Sequence, residues 1–396
     1  MFAMNLTDII EELQPRIAAL RRDLHAHPEL AFGENRTADV VAAHLESIGV
    51  EVHRNIARTG VVGVLRGGAG SRAIGLRADM DALPLDEANS FPHRSRHAGC
   101  MHACGHDGHT AMLLGAAEAL AKTRDFGGTV YFIFQPAEEH EGGGRLMVEE
   151  GLFERFPMQM VFGLHNWPGL PVGSIAVMDG PVMAGADRFE IRIIGRGGHA
   201  AMPHQAVDTV MAGAALVQAL QTLVSRNADP QDAVVVSVTR FHAGHADNVL
   251  PEEAVLGGTV RCFRPELQDQ LEEGMRRICN GIETTYRVKI ALDFERGYPP
   301  TVNAEEASFL CREVARQVVA QSKDGGQVFT HLKPSMGAED FAYLSRVVPG
   351  CYAWIGNGPG EGGCMLHSPH YDFNDEVIAT GVRYWVRLVE RVLPKG

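Results

Sequence analysis

The β-α-β-β-α-β order of elements predicted between residues 185 and 299 is the feature of this chain that most constrains its fold. Alternating apolar residues predict the strands, and apolar residues three and four positions apart predict the helices. The six elements are Arg188–Ile194, Val207–Ser225, Ala233–Phe241, Ala254–Phe263, Leu267–Thr285 and Val288–Phe294. This order is typical of a ferredoxin-like module. We therefore expect residues 185–299 to fold as a self-contained domain.

The segments on either side of this module alternate short apolar runs with helical patterns. Runs such as Thr129–Phe134 and Met160–Leu164 are too short for helices and are bounded by Gly or Pro. Strands that alternate with helices favour an α/β domain built on a mixed, largely buried sheet. We expect residues 1–184 and 300–396 to form one catalytic domain in two chain segments, with the module inserted between them.

A glycine-rich stretch lies between two of the early strands. Gly60–Leu65 and Ala73–Ala78 both read as strands, and Gly67–Gly70 separates them. Short glycine-rich connections between apolar runs are typical of hairpins. The pattern therefore predicts that these two strands are neighbours in the sheet.

Charge and composition exclude several classes of protein. The chain of 396 residues has 36 Lys and Arg against 49 Asp and Glu, a net charge of −13, which argues against nucleic-acid binding. It contains no run of 18 apolar residues, so we expect no membrane span. The first twenty residues lack the apolar core of a signal peptide. Seven irregularly spaced cysteines do not indicate a disulfide framework, so we predict a reducing cytoplasm.

The segment Met101–His109 carries the strongest chemical signal, because three histidines fall within nine positions. Cys104 and His106 are separated by one glycine, and thiolate and imidazole are natural zinc-type ligands. A structural zinc site would need a second cysteine pair, and no downstream C-x-x-C motif exists. A loop of surface histidines before a helix is the other alternative.

Two adjacent carboxylates, Glu138 and Glu139, follow the predicted strand Thr129–Phe134 after the break at Pro136. In an open α/β sheet, ligands bind beyond the carboxyl ends of the strands. Adjacent carboxylates at such a place can divide the work, one binding a metal ion and the other moving protons. By itself the pair could equally be a solvated acidic turn.

Other predicted strands also end in side chains that can bind metal. Asp79 and Asp81 follow one strand, His165 follows another, and His367 lies in a stretch after the strand at Tyr352–Ile355. Several strand ends that deliver such groups to one edge of a sheet favour a metal centre there.

Two other enzyme classes receive little support. Gly195–Ala200 fits the loose G-x-G-x-x-A dinucleotide pattern, but no acidic residue follows about 20 positions later to bind a ribose. Neither a G-x-S-x-G nucleophile motif nor an H-E-x-x-H zinc motif occurs in the chain.

Seven segments closely resemble one family when taken together. They are Gly75–Pro84, Met101–Thr110, Gln135–Glu139, Phe162–Asn166, Gly195–His199, Asn248–Pro251 and Gly337–Phe341. They resemble the hippurate hydrolase branch of the aminoacylase and carboxypeptidase-like di-metal amidohydrolases. That branch also holds plant auxin-conjugate hydrolases and bacterial N-acetyl-diaminopimelate deacetylases. The resemblance covers nearly the whole chain, from Arg22–His25 to Phe373–Asp375.

The resemblance implies a centre of two divalent metal ions, which would be Mn, Zn, Co or Ni. Cys104 would bridge both ions, Glu139 and His367 would complete one site, and His106 and His165 would complete the other. The wider family usually has His-x-Asp where this chain has Asp79-Met80-Asp81. We therefore count Asp81 with the catalytic set only as a residue that supports the metal ligands.

The implied reaction is hydrolysis of the amide bond of N-acyl or N-aroyl amino acids such as hippurate. A hydroxide bridging the two ions would attack the carbonyl, and Glu138 would be the general base. The inserted module would be a lid and dimerisation domain of a homodimer or homotetramer. His199 of this lid would reach the oxyanion in the partner subunit, and Asn248 and Arg261 would contact the substrate.

Other activities stay open at this point. An N-acetyl-diaminopimelate-type deacetylase is one alternative, and a dipeptidase or carboxypeptidase of similar architecture is another, although such peptidases usually carry Asp where Cys104 stands. A non-catalytic metal- or peptide-binding protein is more remote, because a pure binder has no use for a base such as Glu138.

Overall fold

The computed structural model describes residues 5–321, 325–359 and 364–395. The chain divides into two compact units. The larger unit contains the described residues of Met1–Gly180, Val302–Lys333 and Asp340–Gly396. The smaller unit contains Pro181–Thr301 together with the short segment Pro334–Glu339.

The helices and strands follow one another along the chain in three groups. The first group is α1 (Leu6–Ala26), α2 (Asn35–Ser47), β1 (Glu51–Ile56), β2 (Gly60–Arg66), β3 (Gly68–Asp79), α3 (His106–Thr123), β4 (Gly127–Gln135), α4 (Gly143–Glu149), α5 (Leu152–Arg155), β5 (Met160–Pro168) and β6 (Ile175–Ala176). The second is β7 (Gly180–Met183), β8 (Gly185–Ile194), β9 (Gly198–His199), α6 (Thr209–Thr222), β10 (Val234–Ala243), β11 (Val249–Leu250), β12 (Glu253–Cys262), α7 (Pro265–Tyr286), β13 (Lys289–Tyr298) and β14 (Thr301–Asn303). The third is α8 (Glu305–Ala320), β15 (Val328–Phe329), α9 (Phe341–Ser345), β16 (Gly350–Gly358) and α10 (Val377–Val392).

The larger unit is built on a mixed sheet of eight strands in the order β1-β2-β4-β3-β5-β16-β6-β15. Strand β3 runs parallel to both β4 and β5, and β5 runs parallel to β16. Strands β4, β5 and β16 are almost entirely buried, as expected for a sheet covered by helices. The prediction of an α/β fold with a large mixed sheet is confirmed.

The predicted hairpin between the two early strands is wrong. Strand β4 lies between β2 and β3 in the sheet, antiparallel to β2 and parallel to β3. The glycine-rich stretch does not form a two-strand turn, because Gly68 already belongs to β3 and pairs with Gly127 of β4. The adjacency of these strands is decided by pairing with a segment about sixty residues away, which a local turn pattern does not report.

The smaller unit contains an antiparallel sheet in the order β10-β12-β8-β13. Buried and exposed residues alternate along β8, so one face of this sheet packs on a core of its own. Helices α6 and α7 contribute Leu216, Leu220, Leu271 and Met275 to that core. The smaller unit therefore has an apolar core built from its own sheet and helices.

Candidate metal centre

The edge of the larger sheet collects the candidate ligands because β3, β4 and β5 run in the same direction. Asp79 is the last residue of β3, and the loop that carries Glu138 and Glu139 follows β4. His165 lies near the carboxyl end of β5. Parallel strands therefore bring residues from distant parts of the chain to one place.

Glycine is required between Cys104 and His106 because of the local backbone. Gly105 has φ of 89° and lies just before α3, whose first residue is His106. A Cβ atom at Gly105 would collide with Nδ2 of Asn166 and lie 2.6 Å from Oη of Tyr371. The glycine lets the chain turn sharply, so that Cys104 and His106 face the same centre.

The five predicted metal ligands converge in the larger unit. One ligand atom each from Cys104, His106 and Glu139 lies within 4.8 Å of the other two. Sγ of Cys104 lies 3.4 Å from Nε2 of His165. Oε1 of Glu139 lies 3.3 Å from Nε2 of His367. These atoms are close enough to surround a pair of cations.

Two of the histidines are oriented so that a ring nitrogen with a lone pair faces the centre. Nδ1 of His106 donates to the carbonyl of Asp81 at 2.9 Å, and Nδ1 of His165 donates to the carbonyl of Asn166 at 2.6 Å. In the neutral ring each Nε2 atom is therefore left as an acceptor, the form that binds metal. In the part of the chain that the structure describes, Nε2 of His106 is buried without a hydrogen-bond partner. This pattern fits a site for cations.

The charges around these atoms fit the same conclusion. Burial raises the pKa of the Cys104 thiol well above its usual value, and the carboxylates of Glu139, Glu138 and Asp79 raise it further. Burial lowers the pKa of His106, but Asp79, Asp81 and Glu139 together raise it to about 10. Several buried carboxylates close together are stable only near positive charge. Divalent cations supply that charge, and they also stabilise the deprotonated form of the Cys104 thiol.

His367 is the ligand candidate that comes from the far end of the chain. Its backbone has φ of 64°, a left-handed conformation that is uncommon outside glycine. The N–H of His367 donates to the carbonyl of Ala103 at 2.8 Å. This bond joins the segment of His367 to the residue before Cys104.

Asp81 contacts two of the predicted ligands. Its Oδ1 lies 3.3 Å from Nδ1 of His106, and its Oδ2 accepts the backbone N–H of Glu139 at 3.0 Å. Both bonds orient candidate ligands.

Glu138 is buried and lies close enough to Cys104 for its charge to raise the pKa of the thiol. The preceding residue, Ala137, has φ of 54° and donates its N–H to Oε1 of Glu34 at 2.9 Å. Thr59 donates to the other oxygen of Glu34, and burial raises the pKa of this carboxyl to about 7. Glu34 was not recognised in the sequence, because nothing in its local pattern marks it as the support of this loop.

The smaller unit carries the other predicted site residues. His199 in β9 is exposed and pairs with Val249 of β11. The carbonyl of Asn248 accepts the N–H of Ala200 at 3.0 Å, which places Asn248 beside His199. Nδ1 of His199 accepts the N–H of Ala201 at 3.1 Å, so a neutral ring carries its hydrogen on Nε2 and can donate. Arg261 lies on β12, is partly buried and donates to the carbonyl of Val260.

A buried ionic network behind the metal centre was not recognised in the sequence. Arg21 of α1 is 1% exposed and donates to Asp372 at 2.7 Å, to Asp375 at 2.8 Å and to Asp107 at 3.3 Å. Asp107 lies in the first turn of α3, next to His106. The network therefore joins α1 and the segment before α10 to the helix that carries the candidate ligand His106. The segment Arg22–His25 belongs to the resemblance, but Arg21 just before it gives no local sign of burial.

The family model for peptidase family M20/M25/M40 matches residues 75–391. The chain belongs to this family. It is similar to the hippurate hydrolase of Campylobacter jejuni, with 41% identity over 390 residues that cover 98% of this chain and 100% of that protein. It is also similar to the N-acyl-L-amino acid amidohydrolase of Geobacillus stearothermophilus, with 46% identity over 301 residues that cover 75% of this chain and 80% of that protein.

A solved structure supports the same grouping. The YXEP protein of Bacillus subtilis, described as a dinuclear metal binding peptidase from the M20 family, superposes with a TM-score of 0.85. The two chains are 35% identical over 97% of this chain and 99% of the other. The predictions of an M20-type amidohydrolase related to hippurate hydrolase and of a metal-binding enzyme are confirmed at this level. None of the helices that the structure describes has the length and apolar character needed to cross a membrane.

Proposed function

We propose that this M20 enzyme uses two divalent metal ions to hydrolyse the amide bond of N-acyl and N-aroyl amino acids, with hippurate as the type of substrate. The observation that carries the proposal is the convergence of one thiol, one carboxylate and three imidazoles at the sheet edge. The buried Nε2 of His106, which has no hydrogen-bond partner among the described residues, supports it. We propose Mn, Zn, Co or Ni as the ions.

The donor atoms suggest how the ligands are divided. Cys104 would bridge both ions, His106 and His165 would complete one site, and Glu139 and His367 would complete the other. When bound, such ions lower the pKa of a coordinated water to about 7 and polarise an amide carbonyl. Sulfur and imidazole donors suit Zn, Co and Ni, and the carboxylate suits Mn as well.

Glu138 would transfer the proton from the attacking water to the leaving amine. Its carboxylate would take a proton from the attacking water and return it to the amine as the amide bond breaks. The position of Glu138 next to the ligand Glu139, on a loop held by Glu34, supports this role. Amines are poor leaving groups unless protonated, so one residue that moves the proton in both directions is what the reaction needs.

His199 would stabilise the oxyanion that forms when the carbonyl is attacked. The hydrogen bond from Ala201 to Nδ1 leaves Nε2 of a neutral ring as a donor, and the side chain is exposed. We propose that His199 of the partner subunit serves each active site, and that the smaller unit is a ferredoxin-like lid. Asn248, beside His199, and Arg261 would contact the carboxylate of the amino acid.

The exposed apolar residues of the smaller unit support its proposed role in dimerisation. Val210 and Met211 at the start of α6 are 40% and 56% exposed, and Phe241 of β10 is 39% exposed. Strand β10 is also at the edge of its sheet, and unpaired strand edges with apolar residues favour association. A homodimer or homotetramer related by two-fold symmetry would cover these residues.

A substrate panel tests the proposed function. Purified enzyme loaded with Mn, Co, Ni or Zn is given N-benzoyl, N-acetyl and indole-acetyl amino acids, N-acetyl-diaminopimelate and dipeptides, and release of free amine is measured. The proposal expects the highest kcat/KM for an N-acyl or N-aroyl amino acid. Cleavage of dipeptides alone would point to a peptidase, and preference for N-acetyl-diaminopimelate would point to that deacetylase. Absence of turnover with every ion and substrate would contradict the proposal.

The cytoplasm is the compartment that we propose. All seven cysteines, including the candidate ligand Cys104, are free thiols. A reducing compartment keeps such thiols available for metal binding.

A further inference from the structure

His109 lies among the candidate metal ligands although the proposed ligand set leaves it out. One ligand atom each from Asp79, His106, His109 and His165 lies within 4.8 Å of the others. The rings of His109 and His165 are 4.4 Å apart between centroids. The structure therefore holds a second set of donors that overlaps the proposed one, and something must decide which histidine binds an ion.

Both nitrogens of His109 are already used in hydrogen bonds. Nδ1 lies 2.6 Å from Oδ1 of Asp79, and a carboxylate oxygen accepts, so the ring hydrogen is on Nδ1. Nε2 accepts the backbone N–H of Asn166 at 3.0 Å, and the amide nitrogen of Asn166 lies at the same distance. The lone pair that a metal ion would need is therefore directed at Asn166.

Asp79 is fixed by buried hydrogen bonds of its own, and this fixes the ring orientation of His109. Arg77 donates to Oδ2 of Asp79 at 2.7 Å, and the same guanidinium donates to Gln135 at 2.9 Å and to Asp340 at 2.9 Å. All four of these side chains are buried. Rotating His109 toward an ion would leave buried polar groups without partners, which is energetically unfavourable.

Asn166 has the opposite effect on His165. The backbone carbonyl of Asn166 accepts the Nδ1 hydrogen of His165 at 2.6 Å, so Nε2 of His165 is left facing Sγ of Cys104. Its side chain donates to the carbonyl of Cys104 at 2.7 Å and accepts from the hydroxyl of Tyr371 at 2.5 Å. One residue thus occupies the lone pair of one histidine and exposes that of the other.

We propose that Asp79, His109 and Asn166 form a selector that decides which histidine binds metal. The hydrogen bonds of this selector keep His109 out of the coordination sphere and present His165 to it. Asp79 and Asn166 are positioning residues that act through the two histidines. The inference rests on the ligand set proposed above, and it goes beyond that set by assigning a purpose to three buried residues outside it.

A matched pair of variants tests the selector in the full-length, metal-free protein. Zn²⁺ is titrated calorimetrically into wild type, His165→Gln and His109→Gln, and bound zinc is counted by elemental analysis. We expect His165→Gln to bind one ion fewer than wild type. We expect His109→Gln to keep the wild-type number of ions, with dissociation constants raised by no more than roughly 10- to 100-fold. Loss of one ion from His109→Gln, as from His165→Gln, would overturn the selector.

The same experiment separates this inference from the proposed function. If His165→Gln binds as many ions as wild type with the same affinity, the proposed ligand set is wrong. If only His109→Gln behaves unexpectedly, the selector alone fails. Neither readout depends on catalytic activity, and thermal unfolding monitored by circular dichroism shows whether each variant is folded.

A measurement on wild type covers the case in which a histidine variant does not fold. In wild type labelled with ¹⁵N-histidine, Zn²⁺ should shift Nε2 of His165 and leave Nε2 of His109 unchanged. A matching shift at His109 would overturn the proposal without any mutation.

Discussion

Nδ1 of His25 lies 2.8 Å from Oδ2 of Asp107, and neither side chain is exposed to solvent. His25 belongs to α1, and Asp107 follows the candidate ligand His106 at the start of α3. Nε2 of His25 lies 3.3 Å from Glu87 on its other side. Burial lowers the pKa of His25, but Asp107 and Glu87 raise it to about 9. This pair therefore joins α3 to α1 through charge.

Stability should fall with rising pH because of His25. A histidine whose folded pKa is raised contributes stability that is fully present below its unfolded pKa of about 6.5 and is lost as pH rises through about 9. The contribution is on the order of 3 kcal/mol. Thermal unfolding between about pH 6.5 and 10 should show this loss in wild type and a smaller one in His25→Gln. Equal pH dependence in the two proteins would contradict the assignment.

Replacing Arg21 with Met should destabilise the fold severely. Three carboxylates, Asp107, Asp372 and Asp375, would lose a buried partner, and the expected loss of unfolding free energy is about 3–5 kcal/mol. Arg16→Met is the control, because the side chain of Arg16 is 58% exposed in its pair with Glu118 and should cost less than about 1 kcal/mol. Denaturant titration of both variants measures the difference, and similar losses would show that the burial of Arg21 matters little.

Glu138→Gln should keep both metal ions and lose hydrolysis. An amide in place of the carboxylate cannot accept the proton, so we expect kcat to fall by about 10²–10⁴. Glu139→Gln is the matched control one residue away, and it should lose an ion instead. Metal analysis and kinetics on both variants separate the two roles. Wild-type turnover in Glu138→Gln would remove it as the general base.

Exhaustive chelation should abolish turnover, and Mn, Co, Ni and Zn should restore it to different degrees. The ions should also stabilise the fold, because they bind the native chain and bring the buried ligands together. A free ion concentration of 100 times Kd corresponds to about 2.7 kcal/mol. Activity assays and thermal unfolding with and without each ion measure both effects. Full activity in protein shown by elemental analysis to hold no metal would be incompatible with the proposed centre.

His199→Ala should lower kcat much more than it raises KM. A donor to the oxyanion acts mainly in the transition state, and loss of one such donor typically costs about 10²–10³ in kcat. His204, an exposed histidine of the same unit, provides the control, and His204→Ala should leave both constants unchanged. If His199→Ala raised only KM, the residue would serve substrate binding instead.

Much of the fold could be predicted from periodicity. Helix α10 could be recognised in this way, because its apolar residues follow one face over four turns. The central residues of strands β2, β3 and β5 were predicted correctly, although each strand extends beyond the predicted range. The order of strands in the sheet was not predictable in the same way. It depends on pairing between distant segments, and a local pattern such as Gly67–Gly70 led to the wrong neighbour.

The candidate site, too, could be predicted only in part from the sequence. Cys104, His106 and Glu139 stand in recognisable motifs, so the sequence drew attention to them. The orientation of each histidine depends instead on partners such as Asp81 and Asn166, which become visible only in three dimensions. Glu34 and Arg21 were missed for the same reason, since a buried charge resembles a surface charge until its partners are known.

The pairing of β5 with β16 affects how this chain can fold during its synthesis. The two strands lie side by side in parallel although about 190 positions separate them, an interval that contains all of Pro181–Thr301. A ribosome therefore completes Pro181–Thr301, the main segment of the smaller unit, before β16 emerges. During that time one side of β5 has backbone groups without their final partner, and such an open edge invites aggregation. Early folding of the inserted segment would shorten the gap that the two strands must close, so the insertion can serve assembly as well as catalysis.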